Sequence, residues 1–478
     1  MPPCAAIEWA RAHRLYGQAL FGLGRMQDCA QTCEKVMARF SSGPLHAPRI
    51  GQRSALLELI ARHALQQVWR LPLPAPASDA ERELLSEALQ TTVLAGEIYA
   101  YLGRAQDLLH CILGGMELAQ ALADPHRAAL TTAVAAFLLS LTPLRALAPR
   151  YLAQAEALAE ASTDRHAAAQ YFRIGGLVHL FAARWPQSEE LLSRGAVLWR
   201  ALGNDLMQMF TLGQVATVCT LTGELERAQQ TLASIGHIAA AGRQHRYVLW
   251  YRARLCMLAL RRGTDARAWA EQRAELTEID RVLQGTQDRI VLAAVKCGLI
   301  TAARRTHDLG AARRRALEAL ELTPAAVTGY NYAECVFESM DALLSVREQR
   351  AESAAGTVTE EQLESALRRL RLYARGLYIG RPQAHVLESR IAALRGLDVA
   401  ALRHAQQGLL LARRLGMPYE EALAHRQLAR LLDAAPRSPA GPSPRAAAHR
   451  EAARALFLRL GDVWNVQALQ ADAPGAAG

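Results

Sequence analysis

The sequence predicts an all-α protein built as a solenoid of helical hairpins with a period of about 40 residues. Three observations predict it. The first is a template of four small residues at offsets zero, seven, twelve and nineteen, the second of which falls in the turn between two helices. The second is register: the turn positions Gly103, Pro143, Ala183, Gly223 and Gly263 are spaced by 40 each time. A period held over several units marks stacked supersecondary elements. The third is composition. Ala, Leu, Arg and Glu dominate, aromatics are only 6% and β-branched runs are scarce, which favours helix throughout.

Residues 1–78 read as irregular hairpins. Gly17, Gly24, Cys29 and Val36 fit the template, "GQRSALLELIARHALQQVW" (51–69) is amphipathic, and "LPLPAPAS" (71–78) is a prolyl turn. Residues 79–346 form the regular array. Its templates are Gly96, Gly103, Leu108, Gly115; Ala136, Pro143, Ala148, Ala155; Gly176, Ala183, Ser188, Gly195; and Ala216, Gly223, Ala228, Ile235. Cys256, Gly263 and Ala268 follow, with Glu275 a misfit. "HDLGAARRRALEALELTP" (307–324) carries a turn near His307 to Gly310, then Ala312, Ala319 and Pro324. Residues 347–361 read as a loop. Residues 362–470 hold the last hairpins, with Ser389, Gly396, Ala401 and Gly408 in all four places and a Pro-rich loop at 434–445. Residues 471–478 read as a disordered tail. The whole amounts to roughly eleven hairpins.

Close packing explains the template. Axes in an antiparallel hairpin approach to about 8–10 Å, and small residues permit the near end of that range. Glycine at the turn supplies the left-handed conformation that stops the first helix. Large residues between the small ones, such as Tyr99, Leu232 and Leu320, fill the space between hairpins. A single hairpin cannot bury its apolar face; a stack can.

Composition also excludes function classes. With 51% hydrophobic and 21% charged residues among 478, a large core is available and disorder is excluded as the main state. The net charge of +10 invites nucleic acid, but the arginines are spread along the chain with glutamates among them. Eight cysteines include no C-x-x-C pair. Cys29 and Cys33 lie one helical turn apart with no second pair to complete a metal site, and read as packed thiols in a reduced cytoplasm. The N-terminal residues lack a signal-peptide pattern, and the uncharged run 128–144 is too short and too broken by Pro143 to cross a bilayer. The expectation is a cytoplasmic protein without a membrane span. Neither Lys35 nor Lys296 sits in a P-loop, no kinase signature is present, and no Ser-His-Asp or Cys-His arrangement is defined by spacing. His110, His179 and His425 fall in helical interiors as structural residues. Glu420 and Glu421 follow "GMP" at a helix start, where negative charge suits the dipole. The expectation is therefore no catalytic residues, no metal ligands and no cofactor.

The four-small-residue template resembles the tetratricopeptide repeat, and "HDLGAARRRALEALELTP" looks like the second half of one, with His307 where the family prefers Gly. The resemblance implies a right-handed superhelix. The family's usual period is about 34, so the helices here are longer. Repeats of this length resemble the C-terminal arrays of large bacterial signalling ATPases that are joined to nucleotide cyclase, protein kinase or LuxR-type DNA-binding modules. "ARRLGMPYEEALAHRQLARLL" (412–432) and "ARALFLRLGD" (453–462) carry that second resemblance. It implies the sensor half of such a protein without its NTPase engine. The implied partner is a protein or peptide, including a separate or fused NTPase, cyclase or kinase module.

Such arrays bind ligands on a concave face lined by the first helix of each hairpin, where aromatics and arginines would be the hot spots. Three stretches qualify: "QYFRIGG" with Tyr171 and Arg173, "RYVLWYRARLC" with Trp250, Tyr251, Arg252 and Arg254, and "GYNYAECVFE" with Tyr330, Asn331 and Tyr332. The plain alternative is that these aromatics are core contacts and the arginines solvated. A basic zone remains: Arg261 and Arg262, Arg304 and Arg305, Arg313 to Arg315, then Arg368, Arg369 and Arg371. Its alternative is a solvated face with ion pairs such as Arg314 to Glu318. The sequence thus favours a non-catalytic interaction scaffold. Behind it stand an arginine-rich binder of nucleic acid or an acidic partner, and a peptide-sensing regulator, which would usually carry an N-terminal DNA-binding domain.

Overall fold

The computed structural model describes residues 3–40, 57–63, 75–142, 144–161, 164–242, 245–263, 265–285, 288–324, 327, 329–349, 357–434 and 443–472. Among the described residues every regular element is a helix. Pro143, the first half of the prolyl turn, the centres of the loop at 347–361 and of the Pro-rich loop, and the tail from 473 lie outside them. Of the helix expected over 51–69, residues 57–63 are described and helical.

The helices are α1 (Pro3–Gly22), α2 (Met26–Phe40), α3 (Asp79–Leu102), α4 (Ala105–Ala121), α5 (Pro125–Ser140), α6 (Ala148–Glu160), α7 (Arg165–Phe181) and α8 (Trp185–Ala201). Next come α9 (Asp205–Thr222), α10 (Leu225–Ala241), α11 (His245–Arg262), α12 (Ala266–Val282), α13 (Arg289–Arg305), α14 (Leu309–Leu322) and α15 (Tyr330–Glu348). The chain ends with α16 (Glu360–Gly376), α17 (Arg381–Leu394), α18 (Asp398–Leu415), α19 (Pro418–Ala434), α20 (Pro444–Arg459) and α21 (Val463–Ala471). Neighbours in sequence pack on each other, as α3 does on α4, α5 on α6, α17 on α18 and α19 on α20. None of the described helices is long and apolar enough to cross a membrane.

The template residues do two different jobs. Gly24, Gly103 and Gly223 stop helices in the left-handed region, with φ of 75°, 70° and 83°. Ala183 and His307 adopt the same conformation at φ of 57° and 56° despite their side chains. Gly263 is not left-handed; a Cβ there would lie 2.6 Å from the indole Nε1 of Trp269, so glycine is needed for close approach. The helical positions serve packing. A Cβ on Gly176 would lie 2.5 Å from Leu192 Cγ, and one on Gly408 would lie 3.1 Å from the Pro382 carbonyl. Ala312, Ala316 and Ala319 are wholly buried. The turn before α14 is tighter than the sequence suggests: Asp308 caps the helix by accepting from Ala311 N at 3.0 Å, which puts Gly310 inside it.

The chain divides into two compact units. One is Met1–His179 with Glu190–Gln208 and Gly285–Arg289; the other is Leu180–Glu189 with Met209–Gln284 and Ile290–Gly478. The division falls inside the stretch that the sequence rhythm groups as one array, 79–346. In the first unit α1 and α3 are clasped by Glu87, which is buried and receives Arg11 Nε at 3.0 Å and Arg14 Nε at 2.8 Å. The thiol of Cys29 donates to the Gly17 carbonyl at 2.9 Å, so this cysteine packs as expected. In the second unit the turns of distant hairpins meet. The Trp185 indole donates to the Leu415 carbonyl, and Gly223 lies so close to Pro418 and Leu460 that a Cβ would sit 2.8 and 2.9 Å from them.

Candidate functional site

A cavity of about 230 Å³ opens within the second unit. Its walls come from α11, α13, α15, α17, α19 and α21, which are alternate helices of the chain. The helix at its heart is α15. Nearly every residue from Tyr332 to Val346 is buried, the mark of a helix enclosed on all sides. Yet it carries a polar stripe at Glu334, Glu338, Asp341, Ser345 and Glu348. Steps of three and four put all five on one face.

Arginines from the surrounding helices meet that stripe. Arg304 of α13 reaches Asp341 at 2.6 Å and Glu338 at 3.2 Å. Arg390 of α17 binds Glu348 in a fork, at 2.8 and 3.0 Å, and also pairs with Asp341 and reaches Ser345. Arg430 of α19 stands 3.4 Å from Glu348 and 3.9 Å from Asp472. Arg426 binds Asp472 at 2.7 Å and the Asn465 amide oxygen at 3.0 Å. At the far end, Arg305 is almost wholly buried, donates to the Leu260 carbonyl and pairs with Asp462 at 2.9 Å under the ring of Trp464. Six arginines and four carboxylates line the cavity, so its balance is cationic although most of its charges are paired.

Protonation follows these neighbours. Burial raises the Glu348 and Asp341 pKa values, but Arg390 beside the first and Arg304 and Arg390 beside the second outweigh it and hold both below the ordinary carboxylate value. Glu338 goes the other way: burial pushes it up, with Arg304 only partly opposing. Next to the cavity, Glu420 at the start of α19 is 5% exposed, and its Oε2 has no hydrogen-bond partner among the described residues. Burial raises it to about 7 against the pull of Arg261. Its place at a helix N-terminus suits a negative charge, as the sequence suggests, but the apolar setting prevails.

The eight residues singled out from sequence fall into several environments. Tyr171 and Tyr332 are buried, 4% and 1% exposed, which corrects their assignment as contact residues: their rings are core. Arg254 is buried as well and pairs with Glu334. Trp250 packs on the α11–α13 core, its ring against Gly213. Arg173 bonds Gln170 within its own helix, at 2.9 and 3.1 Å, and Arg252 pairs with Glu275 at 2.6 Å. Tyr330 and Asn331 are half-buried at the start of α15; burial drives the Tyr330 pKa well up. None of the eight lines the cavity. What sequence reasoning passed over was the α15 stripe, whose acids stand at helical spacing in an otherwise apolar run.

The basic zone is largely neutralised. Arg262 pairs with Glu226 at 2.8 Å, Arg371 with Glu388 at 2.8 Å, and Arg369 donates to the Thr323 carbonyl at 2.8 Å. Glu318 pairs with Arg315 at 3.1 Å and Lys296 at 3.2 Å, which corrects the expected Arg314 to Glu318 pair. Arg314 is exposed while Arg313 and Arg315 are half-buried, so the trio sweeps round the helix.

A separate cluster stands on the α17–α18 hairpin. Nδ1 of His385 and Nδ1 of His404 are 3.3 Å apart, and Oε2 of Glu388 lies 3.8 and 3.5 Å from them. No family model matches the chain, and no curated protein matches it.

Proposed function

We propose that the chain is a non-catalytic interaction scaffold, a right-handed superhelical array of tetratricopeptide-like hairpins of period about 40, whose cavity receives an acidic side chain from a protein segment. The cavity carries this reading. Its walls are alternate helices, as in an array whose first helices face inward, and arginines outnumber carboxylates six to four. Its volume of about 230 Å³ falls below the range of about 300–1,000 Å³ for pockets that enclose a drug-sized molecule. It suits one or two side chains of a longer segment. In a cell such a scaffold would be cytoplasmic and would regulate a signalling ATPase, cyclase, kinase or transcription regulator, in cis or in trans. Nucleic acid is disfavoured because the basic residues of the proposed stripe are engaged by neighbouring acids and carbonyls.

The test is a display selection of random peptides against the full chain, followed by affinity measurement of the enriched sequences. The expected result is enrichment of acidic peptides whose binding falls at least about tenfold in Arg430→Ala. Enriched peptides that bind the variant as well as the parent would overturn the assignment of the cavity. Tighter binding of duplex DNA or RNA, steeply weakened by salt, would overturn the reading itself.

A further inference from the structure

We propose that the α17–α18 hairpin holds a zinc ion, bound by Nδ1 of His385, Nδ1 of His404 and Oε2 of Glu388. The three ligand atoms form a triangle with sides of 3.3, 3.5 and 3.8 Å. A point inside that triangle lies about 2 Å from all three atoms, which is the Zn–N and Zn–O bond length. A hydrogen bond between two imidazoles needs only two of these groups to converge. Here the carboxylate converges on the same point.

The chain builds this triangle from local rules. His385 and Glu388 are three residues apart on α17 and share a face. Gly408 on α18 lets the two helices approach until its own Cβ position would touch His385 Cβ at 3.4 Å. His404 lies one turn before Gly408 on the same face of α18 and so arrives beside His385. Arg371 of α16 holds Oε1 of Glu388 at 2.8 Å, which orients the carboxylate and leaves Oε2 for the ion.

Two imidazoles and one carboxylate are the donor set of open zinc sites, in which water completes the coordination. The three side chains are 29%, 15% and 26% exposed, so both the ion and that water have access. The opposite face of α17 carries Gln383, Val386, Leu387 and Arg390 into the cavity. An ion on this hairpin therefore fixes the helix that presents Arg390.

The experiment uses the full chain, freed of metal by a chelator, titrated with Co²⁺ and then displaced with Zn²⁺. The expected result is visible Co²⁺ absorption saturating at one equivalent, lost on adding Zn²⁺. His404→Ala and Glu388→Gln should each lower zinc affinity at least about tenfold, with unchanged melting of the metal-free protein. His425→Ala removes part of the separate His425–His449 pair, whose Nδ1 atoms are 2.7 Å apart, and should leave affinity unaltered. Should His404→Ala fail to fold, Glu388→Gln carries the test alone. Undiminished affinity in the folded His404→Ala or Glu388→Gln protein, or an equal loss in His425→Ala, would overturn the site.

Discussion

Glu87 in the first unit and Glu348 in the second are both shielded carboxylates held by two arginines. Their arginines come from different places. Glu87 takes both Arg11 and Arg14 from α1, three residues apart on one helix packed against its own. Glu348 takes Arg390 from α17 and Arg430 from α19, which approach α15 across a cavity. Burial raises the pKa of each, and the arginines outweigh it and lower both. The same chemistry therefore closes one seam and holds another open. Charges drawn from one helix make a clasp between two elements. Charges drawn from several helices leave, between their heads, a space that a ligand's charge can enter.

The sharpest way to break that comparison is to remove one arginine from each unit. Arg390→Met strands Asp341 and Glu348 with only Arg304 and the more distant Arg430 and should cost about 3–5 kcal/mol. Arg14→Met leaves Glu87 its second arginine, already at hydrogen-bond distance, and should cost about 1–2 kcal/mol. Urea unfolding midpoints of the two variants measure the difference; equal losses would erase the distinction between clasp and open cluster.

Packing positions come next. Gly176→Ala puts a methyl group 2.5 Å from Leu192 Cγ and 3.3 Å from its backbone nitrogen, so α7 and α8 must separate. The expected loss is about 1–3 kcal/mol. Gly203→Ala is the control for turn strain without crowding, because its φ is 67° and nothing lies within 4 Å of the added Cβ. Its cost should be about 1 kcal/mol. Thermal melts that rank Gly203→Ala as the worse of the two would count against close helix approach as the meaning of the template.

That template explains how much of the molecule was legible. Small residues recur because backbone proximity forbids anything larger, and a recurring prohibition shows in sequence. Gly96, Gly176 and Gly408 announced their helices in this way, and Gly103 and Gly223 their turns. Aromatics gave a weaker signal, since Tyr171 and Tyr332 look alike whether they face a partner or the core. The cavity was harder still. Its acids share one helix and were visible at steps of three and four along α15, but the arginines that answer them lie 34 to 82 positions away. Only the stacking of alternate helices brings them together. The His385–Glu388–His404 cluster needed the α17–α18 register as well.

Glu420 sharpens the comparison from the side of protons, since it has neither of the arrangements that keep Glu87 and Glu348 ionised. Its folded-state pKa of about 7 lies above the ordinary carboxylate value, so the folded chain keeps a proton that the unfolded chain gives up. The stability it contributes is complete below about pH 4 and is lost as pH rises through 7. Glu420→Gln mimics the protonated form at every pH. The variant should match the parent near pH 4 and exceed it by about 3 kcal/mol at pH 8. Unfolding free energies across that range decide it; a difference that does not grow with pH would mean that Glu420 is ionised in the folded protein.

The smallest effect on stability is expected where the cavity is least committed. Arg430 has only long contacts, 3.4 and 3.9 Å, and its side chain is 35% exposed, so water already shares its solvation. Arg430→Ala should change stability by less than about 0.5 kcal/mol, the scale of an exposed ion pair. Arg390→Met, two helices away on the same carboxylate, should by then have shown several times that loss. The contrast tests whether the cavity divides its arginines into those that hold the walls and those that remain for a ligand. If Arg430→Ala unfolds at the same urea concentration as the parent yet loses acidic peptides, the division holds. If its unfolding midpoint falls as far as that of Arg390→Met, every arginine in the cavity is structural, and the acidic segment must be sought on another surface.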